Sequence, residues 1–453
     1  MNQPPNVIHA RLVGLLRVIM LGFLLVALAL VYWATVRSAD ILGRDDNPRL
    51  VEAELRIRRG RILDRHNQVL AESVGEEIVQ RVYPIPEIGP AVGYYSFLHG
   101  TAGVEESLDE ILRGETADFW RAFWRQVRHL PQQGRDVQLT LDADLQKTAD
   151  SLLGNQRGAI ILLSLPDNEI LAMVSHPNFD PNLLDEQFDA LSEDENAPLL
   201  NRVTQGQYQP GRVLQPFLLA WAWQLGLIAP EQPIAEANKP VSINGGVIRC
   251  TEIPPDVTTW ADVLKFQCPA PMQILADRMG AAGLDQSFMA FGLTTPPVLP
   301  LNTETAVPEP VADPLLAGIG QENLVVTPLQ MALAWAALGS DGRLRPAQLV
   351  TAVQDESGEW VAWESEEMAT GETAVSAATA RLIRRLLTTD NNQIEFSVPV
   401  LSGPQSTTNS WYLGMAPASA PQFAIVVIVE QSTDPLNAIT TGRNILEAAL
   451  THP

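Results

Sequence analysis

The chain has 453 residues, 46% of them hydrophobic, and a formal net charge of −23. Its length calls for two or more domains. The acidity excludes nucleic acid, whose phosphates demand a basic face, and broad adhesion to anionic lipid headgroups. The two cysteines, Cys250 and Cys268, belong to no C-x-x-C pair and have no histidine cluster beside them. That argues against a zinc site, and no metal or other cofactor is expected. Outside the cytoplasm the two are able to form one disulfide. Two unpaired, small buried residues are the equal alternative.

Val18 to Val36 is an uninterrupted apolar or neutral run between Arg17 and Arg37. About 20 such residues span a bilayer. Arg11 and Arg17 precede it, while Asp40, Asp45 and Asp46 follow. This predicts a single transmembrane helix over 18–36, a cytoplasmic tail over 1–17 and an extracytoplasmic bulk. The run is long for a signal peptide and has no convincing A-x-A site, so it reads as an uncleaved anchor.

Residues 37–50 read as a polar linker. Residues 51–135 are arginine-rich and mixed, with a turn and short strand over Arg59 to Arg65 and a short helix over Ser107 to Leu112, stopped by Gly114. From Asp136 the texture changes. Val137, Leu139 and Leu141 alternate with polar residues, a strand pattern, and Asp144 to Leu153 reads as a helix. Ala159 to Leu165 and Ile170 to Ser175 read as a hairpin turning at Pro166-Asp167-Asn168-Glu169. Apolar helices are predicted over Leu214 to Leu227, Ala270 to Met279 and Pro328 to Leu338, the last with proline at its start. Residues 228–260, including the Gly245-Gly246 pair, read as irregular, and 293–313 as a proline-rich loop. Trp411 to Met415 and Phe423 to Glu430 read as strands, and Ile439 to Leu450 as a closing helix. The acidic stretches Asp185 to Glu195 and Glu364 to Glu372 read as solvated surface. No βαβ rhythm appears, so an α+β layer fold is expected, with an antiparallel sheet flanked by helices.

Several stretches resemble the class B penicillin-binding proteins. RGRILDRHNQVLA, from Arg59 to Ala71, is similar to a signature of that family's pedestal or dimerisation domain. GTAGVEESLDEILRG, from Gly100 to Gly114, resembles a second pedestal element. DVQLTLDADLQ, from Asp136 to Gln146, looks like the opening of the transpeptidase domain. EILAMVSHPNFDPN, from Glu169 to Asn182, resembles the approach to the active-site helix. GIGQENLVVTPLQ, from Gly318 to Gln330, resembles the family's GxGQGxxxxTPLQ. WYLGMAP, from Trp411 to Pro417, resembles the last strands. The resemblance covers nearly the whole chain in the family's order. It implies a small pedestal domain over 51–135 and a transpeptidase-like domain over 136–453.

The family's chemistry is acyl transfer, in which the serine of S-x-x-K attacks a peptide ahead of its terminal D-alanine and the lysine handles the proton. An S-x-N motif and a K-T-G strand complete the cleft, and backbone N–H groups form an oxyanion hole. By resemblance, Arg212 stands at the serine and Gln215 at the lysine, after the framing residues Tyr208-Gln209-Pro210-Gly211. Gln267 and Pro269 stand at the ends of S-x-N, around Cys268. Leu401, Ser402 and Gly403 stand at K-T-G, with Pro404, which has no N–H, after them. A guanidinium is no nucleophile and a glutamine amide is no base. His66, His99, His129 and His176 show no metal-ligand spacing and no evident partner.

From these replacements the sequence reading expects a chain that is not an enzyme, a degenerate family member acting as a scaffold or regulator of cell-wall synthesis. Two alternatives stand beside it: a cleft that binds peptidoglycan stem peptides or β-lactams, with Arg212 pairing a carboxylate, and an active D,D-transpeptidase whose motifs lie elsewhere. The resemblance implies, as partner, a membrane-embedded cell-wall glycosyltransferase of the polytopic SEDS type or an active penicillin-binding protein.

Overall fold

The structure, a computed structural model, describes residues 5–35, 57–75, 79–115, 133–243, 246–305, 309–363, 371–402 and 407–451. Several sequence expectations lie outside them: the linker 37–50, His129, Gly245, Gly403, Pro404 and most of the acidic stretch from Glu364. The chain divides into two units, one of residues 1–57 with 75–79, the other of 58–74 with 80–453. In the first, one helix runs Pro5–Thr35, and its segment Arg11–Trp33 is long and apolar enough to cross a membrane.

The second unit is built on a five-stranded antiparallel sheet. Its order is Ile394–Ser402, Thr407–Ala416, Phe423–Val429, Gly158–Ser164, Glu169–His176. The inner strands Phe423–Val429 and Gly158–Ser164 are apolar almost without a break, and Thr407–Ala416 is so from Trp411 onward, because both faces of this sheet are covered there. Successive side chains point to opposite faces, and the two cores divide them accordingly. Ile161, Leu163, Leu413, Met415, Val426 and Ile428 join the core that holds helix Pro328–Gly339. Ile160, Leu162, Tyr412, Ile425 and Val427 join the core with helices Ala143–Leu153 and Leu436–Thr451. The expected hairpin pairs Gly158–Ser164 with Glu169–His176, and Asn168 takes the left-handed conformation (φ 57°) that asparagine tolerates in turns.

The helix Pro328–Gly339 starts where Pro328 and a Thr327–Gln330 capping box place it. It is buried on nearly every side, and Trp335 Nε1 donates to Gly414 O at 3.0 Å, locking it to the sheet. The helix expected over Leu214 to Leu227 is shorter, a 3-10 turn at Gly211–Leu214 followed by Gln215–Gln224. It stops before Gly226, whose φ of 69° is incompatible with continuation.

A second sheet, of six strands, takes Ile62–Leu63, Val69–Val74 and Gln80–Val82 from the arginine-rich region, then Val137–Leu139, Val350–Gln354 and Trp360–Ala362. Strands from either side of residue 136 are thus neighbours in one sheet. The short helix near Ser107 is two, Val104–Ser107 and Asp109–Arg113, broken at Leu108 and closed by left-handed Gly114. Within the first of these, Glu105, fully buried, accepts from Arg59 Nε at 2.9 Å, Arg81 Nε at 2.6 Å and the Tyr83 hydroxyl at 3.3 Å.

Removing one member of a buried ionic group strands the rest without compensation, at a cost of about 3–5 kcal/mol. Glu105→Ala is therefore expected to lower the thermal midpoint of the purified full-length chain sharply. Unchanged unfolding by circular dichroism would show that the cluster is dispensable.

Candidate active-site cleft

The cleft is approached through a bonded scaffold. Arg202 Nε donates to Glu430 Oε1 at 3.0 Å, and the Tyr208 hydroxyl donates to the same oxygen at 2.7 Å. Burial foremost, and then Glu430, raise the Tyr208 pKa, so the phenol stays a donor. Tyr208 also exchanges backbone hydrogen bonds with Val326. Three residues on, Gly211 turns the chain with φ 54°, and a Cβ there would lie 2.4 Å from Val400 Cγ1. Glycine is thus required twice over, by backbone and by space. Gly211 N donates to Gly320 O at 3.0 Å, which brings the GIGQ segment to the cleft.

Arg212 follows and is 7% exposed. Its Nη1 donates to Arg249 O at 3.0 Å and to Gln267 O at 2.9 Å. Among the described residues no carboxylate pairs with it. Burial alone pulls its pKa from the ordinary guanidinium range down to about 10. A folded-state value below the unfolded one means that the cation costs stability at neutral pH. Gln215, fully buried, donates from Nε2 to Cys268 O at 3.2 Å, while its Oε1 is sealed from solvent without a partner.

The second wall is the junction of helices Trp260–Phe266 and Pro269–Ala290. Gln267 caps the first helix in the left-handed conformation (φ 53°), a place usually taken by glycine or asparagine. Three bonds hold it there. Its carbonyl accepts from Arg212, its Oε1 accepts from the Thr251 hydroxyl at 2.6 Å, and its Nε2 donates to Ser397 O at 2.8 Å. Pro269 opens the second helix at a position that needs no N–H. Cys268 is joined to Cys250 in a disulfide. This bond ties the segment carrying Arg249 O to the helix start carrying Gln267 O.

The third wall is the edge strand Ile394–Ser402. Ser397 and Val400 meet Gln267 and Gly211, and Leu401 O accepts from Gln321 Nε2 at 2.9 Å. The contacts with the other walls thus fall at 397–401, mostly upstream of the place expected for K-T-G. Ser402, at the strand's end, accepts at its carbonyl from the Thr407 hydroxyl. The structure brings Arg212, Gln215, Gln267, Pro269 and Leu401 to one cleft. Sequence reasoning missed Thr251, Ser397 and the Arg249 carbonyl. Only the position of Thr251 beside Cys250 hinted at the first, and nothing marked a backbone carbonyl.

The histidines have partners that sequence spacing did not reveal. His66 Nε2 lies 3.2 Å from Asp142 Oδ2, His176 Nε2 lies 2.6 Å from Asp150 Oδ1, and His99 stacks on Phe188 with ring centroids 3.8 Å apart. The two acids stand 76 and 26 residues away in the chain. Among the described residues no group of three or more His, Cys, Asp or Glu side chains is arranged to hold a metal ion.

Residues 158–448, well over half of the chain, match the penicillin binding protein transpeptidase domain family, and 59–137 match the penicillin binding protein A dimerisation domain. The chain belongs to the penicillin-binding protein transpeptidase family. Among its relatives in this family is the peptidoglycan D,D-transpeptidase PbpA of Mycolicibacterium smegmatis, 28% identical over 92% of this chain and 94% of that protein. The peptidoglycan D,D-transpeptidase MrdA of Escherichia coli K12 is 28% identical over 62% of this chain and 46% of its own length. Penicillin-binding protein A from M. tuberculosis, solved as its penicillin G acyl-enzyme complex, superposes with a TM-score of 0.77 at 26% identity, covering 87% of this chain and 99% of that one.

These relatives correct one expectation. The replaced motif residues suggested a chain that is not an enzyme, a pseudo-transpeptidase. Its relatives are named D,D-transpeptidases and one is captured as an acyl-enzyme, so the family findings point to an enzyme. The sequence reading treated side chains at aligned positions as deciding activity, whereas the rest of the cleft, Thr251 included, was invisible to it.

The Cys250–Cys268 bond closes a loop with a sequence separation of 18. A loop of that size is worth about 3 kcal/mol through restriction of the unfolded chain. Replacing both cysteines by alanine is expected to lower the unfolding midpoint correspondingly. A double variant as stable as the parent would rule out a stabilising bond.

Proposed function

We propose that this chain works in peptidoglycan synthesis as an acyl-transferring penicillin-binding protein whose substrates are the ends of stem peptides. The observation that carries this reading is the three-walled cleft, assembled within a transpeptidase match that spans 158–448. A guanidinium cannot attack a carbonyl, so acylation here draws on a hydroxyl other than position 212. Thr251 supplies the hydroxyl of the Arg212–Gln267 network, 2.6 Å from Gln267 Oε1.

In the same reading the apolar helix anchors the chain, with Arg11 and Arg17 on the cytoplasmic side and the cleft outside. The partner is a membrane-embedded cell-wall glycosyltransferase or an active penicillin-binding protein, met through the anchor and the dimerisation-type domain. Mild crosslinking in cells is expected to recover such a protein, and repeated recovery of none would remove the partner.

The deciding experiment treats the full-length chain in detergent with a fluorescent penicillin, reads intact mass, and runs an active class B protein as control. A stoichiometric adduct is expected, with peptide mapping to identify the hydroxyl, starting at Thr251. No adduct at saturating penicillin, together with no D-alanine release from a pentapeptide, would sink acyl transfer.

A further inference from the structure

A buried guanidinium normally has a carboxylate beside it, because desolvating the cation alone is costly. This acidic protein follows that rule elsewhere. Arg59 and Arg81 share Glu105, and Arg202 pairs with Glu430. Arg212 departs from it. It is nearly as inaccessible, yet among the described residues its hydrogen-bond partners are two backbone carbonyls, both taken by Nη1. A guanidinium has five N–H donors in a fixed fork. Nε and Nη2 make no hydrogen bond with the described residues.

The surroundings reinforce the positive field. Helices Gln215–Gln224 and Pro269–Ala290 both begin at this cleft. Helix starts carry partial positive charge from their unpaired N–H groups. The carbonyls that hold Nη1 are themselves fixed, one by the Cys250–Cys268 tether and the other by the three bonds of Gln267. The fork is therefore pre-set, with one nitrogen pinned and the remaining edge unpaired among the described residues. A carboxylate engages such an edge with two parallel charge-assisted hydrogen bonds.

We infer that the unpaired edge of Arg212 is the receptor for a peptide-terminal carboxylate, and that this contact seats the stem peptide in the cleft. The inference rests on the stem-peptide reading of the cleft. It assigns to residue 212 a binding role that the aligned serine does not have. The carboxylate of a bound β-lactam would take the same place.

The test compares diacetyl-L-lysyl-D-alanyl-D-alanine with its C-terminal carboxamide, by calorimetry on the full-length chain in detergent. The free acid is expected to bind at least about tenfold more tightly than the amide, a difference of about 1.4 kcal/mol. Arg212→Gln is expected to abolish that preference, so that acid and amide bind alike. Equal binding of acid and amide to the parent chain, or a preference that survives Arg212→Gln, overturns the receptor role and leaves the stem-peptide reading standing. Binding of neither overturns both. Should Arg212→Gln fail to fold, Arg212→Lys keeps the charge but loses the fork, and its preference is expected to fall between the two. The parent comparison needs no variant at all.

Discussion

Everything in the larger unit depends on covering both faces of one five-stranded sheet. An antiparallel sheet with one wet face needs polar residues at every second position. Here Phe423–Val429 carries none, Gly158–Ser164 only its terminal serine and Thr407–Ala416 none from Trp411 onward, so helices must lie on both sides. One layer is closed by Ala143–Leu153 and Leu436–Thr451, elements almost 300 residues apart in the chain. The other layer contains Pro328–Gly339 and the helix that starts at Gln215. With the inner strands committed to packing, only the edge strand Ile394–Ser402 retains a half-solvated pattern and can line a cleft.

This constraint explains what was legible in the sequence. The inner strands, the hairpin at Asn168 and the helix opened by Pro328 announce themselves locally, through apolar runs, a turn residue and a proline at a helix start. The order of motifs along the chain also placed Arg212, Gln215 and Gln267 together. The remainder depends on distant partners. Val137–Leu139 reads as the opening of a new domain, yet it pairs with Ile62–Leu63 and Val350–Gln354. The part of the edge strand that meets the cleft, Ser397 to Leu401, is set by Gln267 and Gln321, and no local pattern encodes that register. The strand was not among those expected from the sequence, and which of its residues would face a neighbour 130 positions earlier is encoded nowhere locally.

Arg212 illustrates the difference between reading a residue and reading its environment. From sequence it is a lost nucleophile. In the fold it is a buried cation pinned by two carbonyls, among the described residues without the carboxylate partner that the buried Arg59 and Arg202 possess. Its neighbours are arranged around that fact. Gln267 accepts an unfavourable backbone conformation and has its carbonyl, amide oxygen and amide nitrogen all engaged. Strain of this kind tends to gather where a site must hold its shape before a ligand arrives.

The tether between Cys250 and Cys268 has a further consequence, one of timing. Thiols in a reducing compartment stay apart, whereas an oxidising one joins them. Before that bond forms, the segment bearing the Arg249 carbonyl has lost its covalent hold on the helix start that bears Gln267. Two hydrogen bonds of Thr251, from its N–H to Phe266 O at 2.9 Å and from its hydroxyl to Gln267 Oε1 at 2.6 Å, are then what hold the two sides of the guanidinium's seat together.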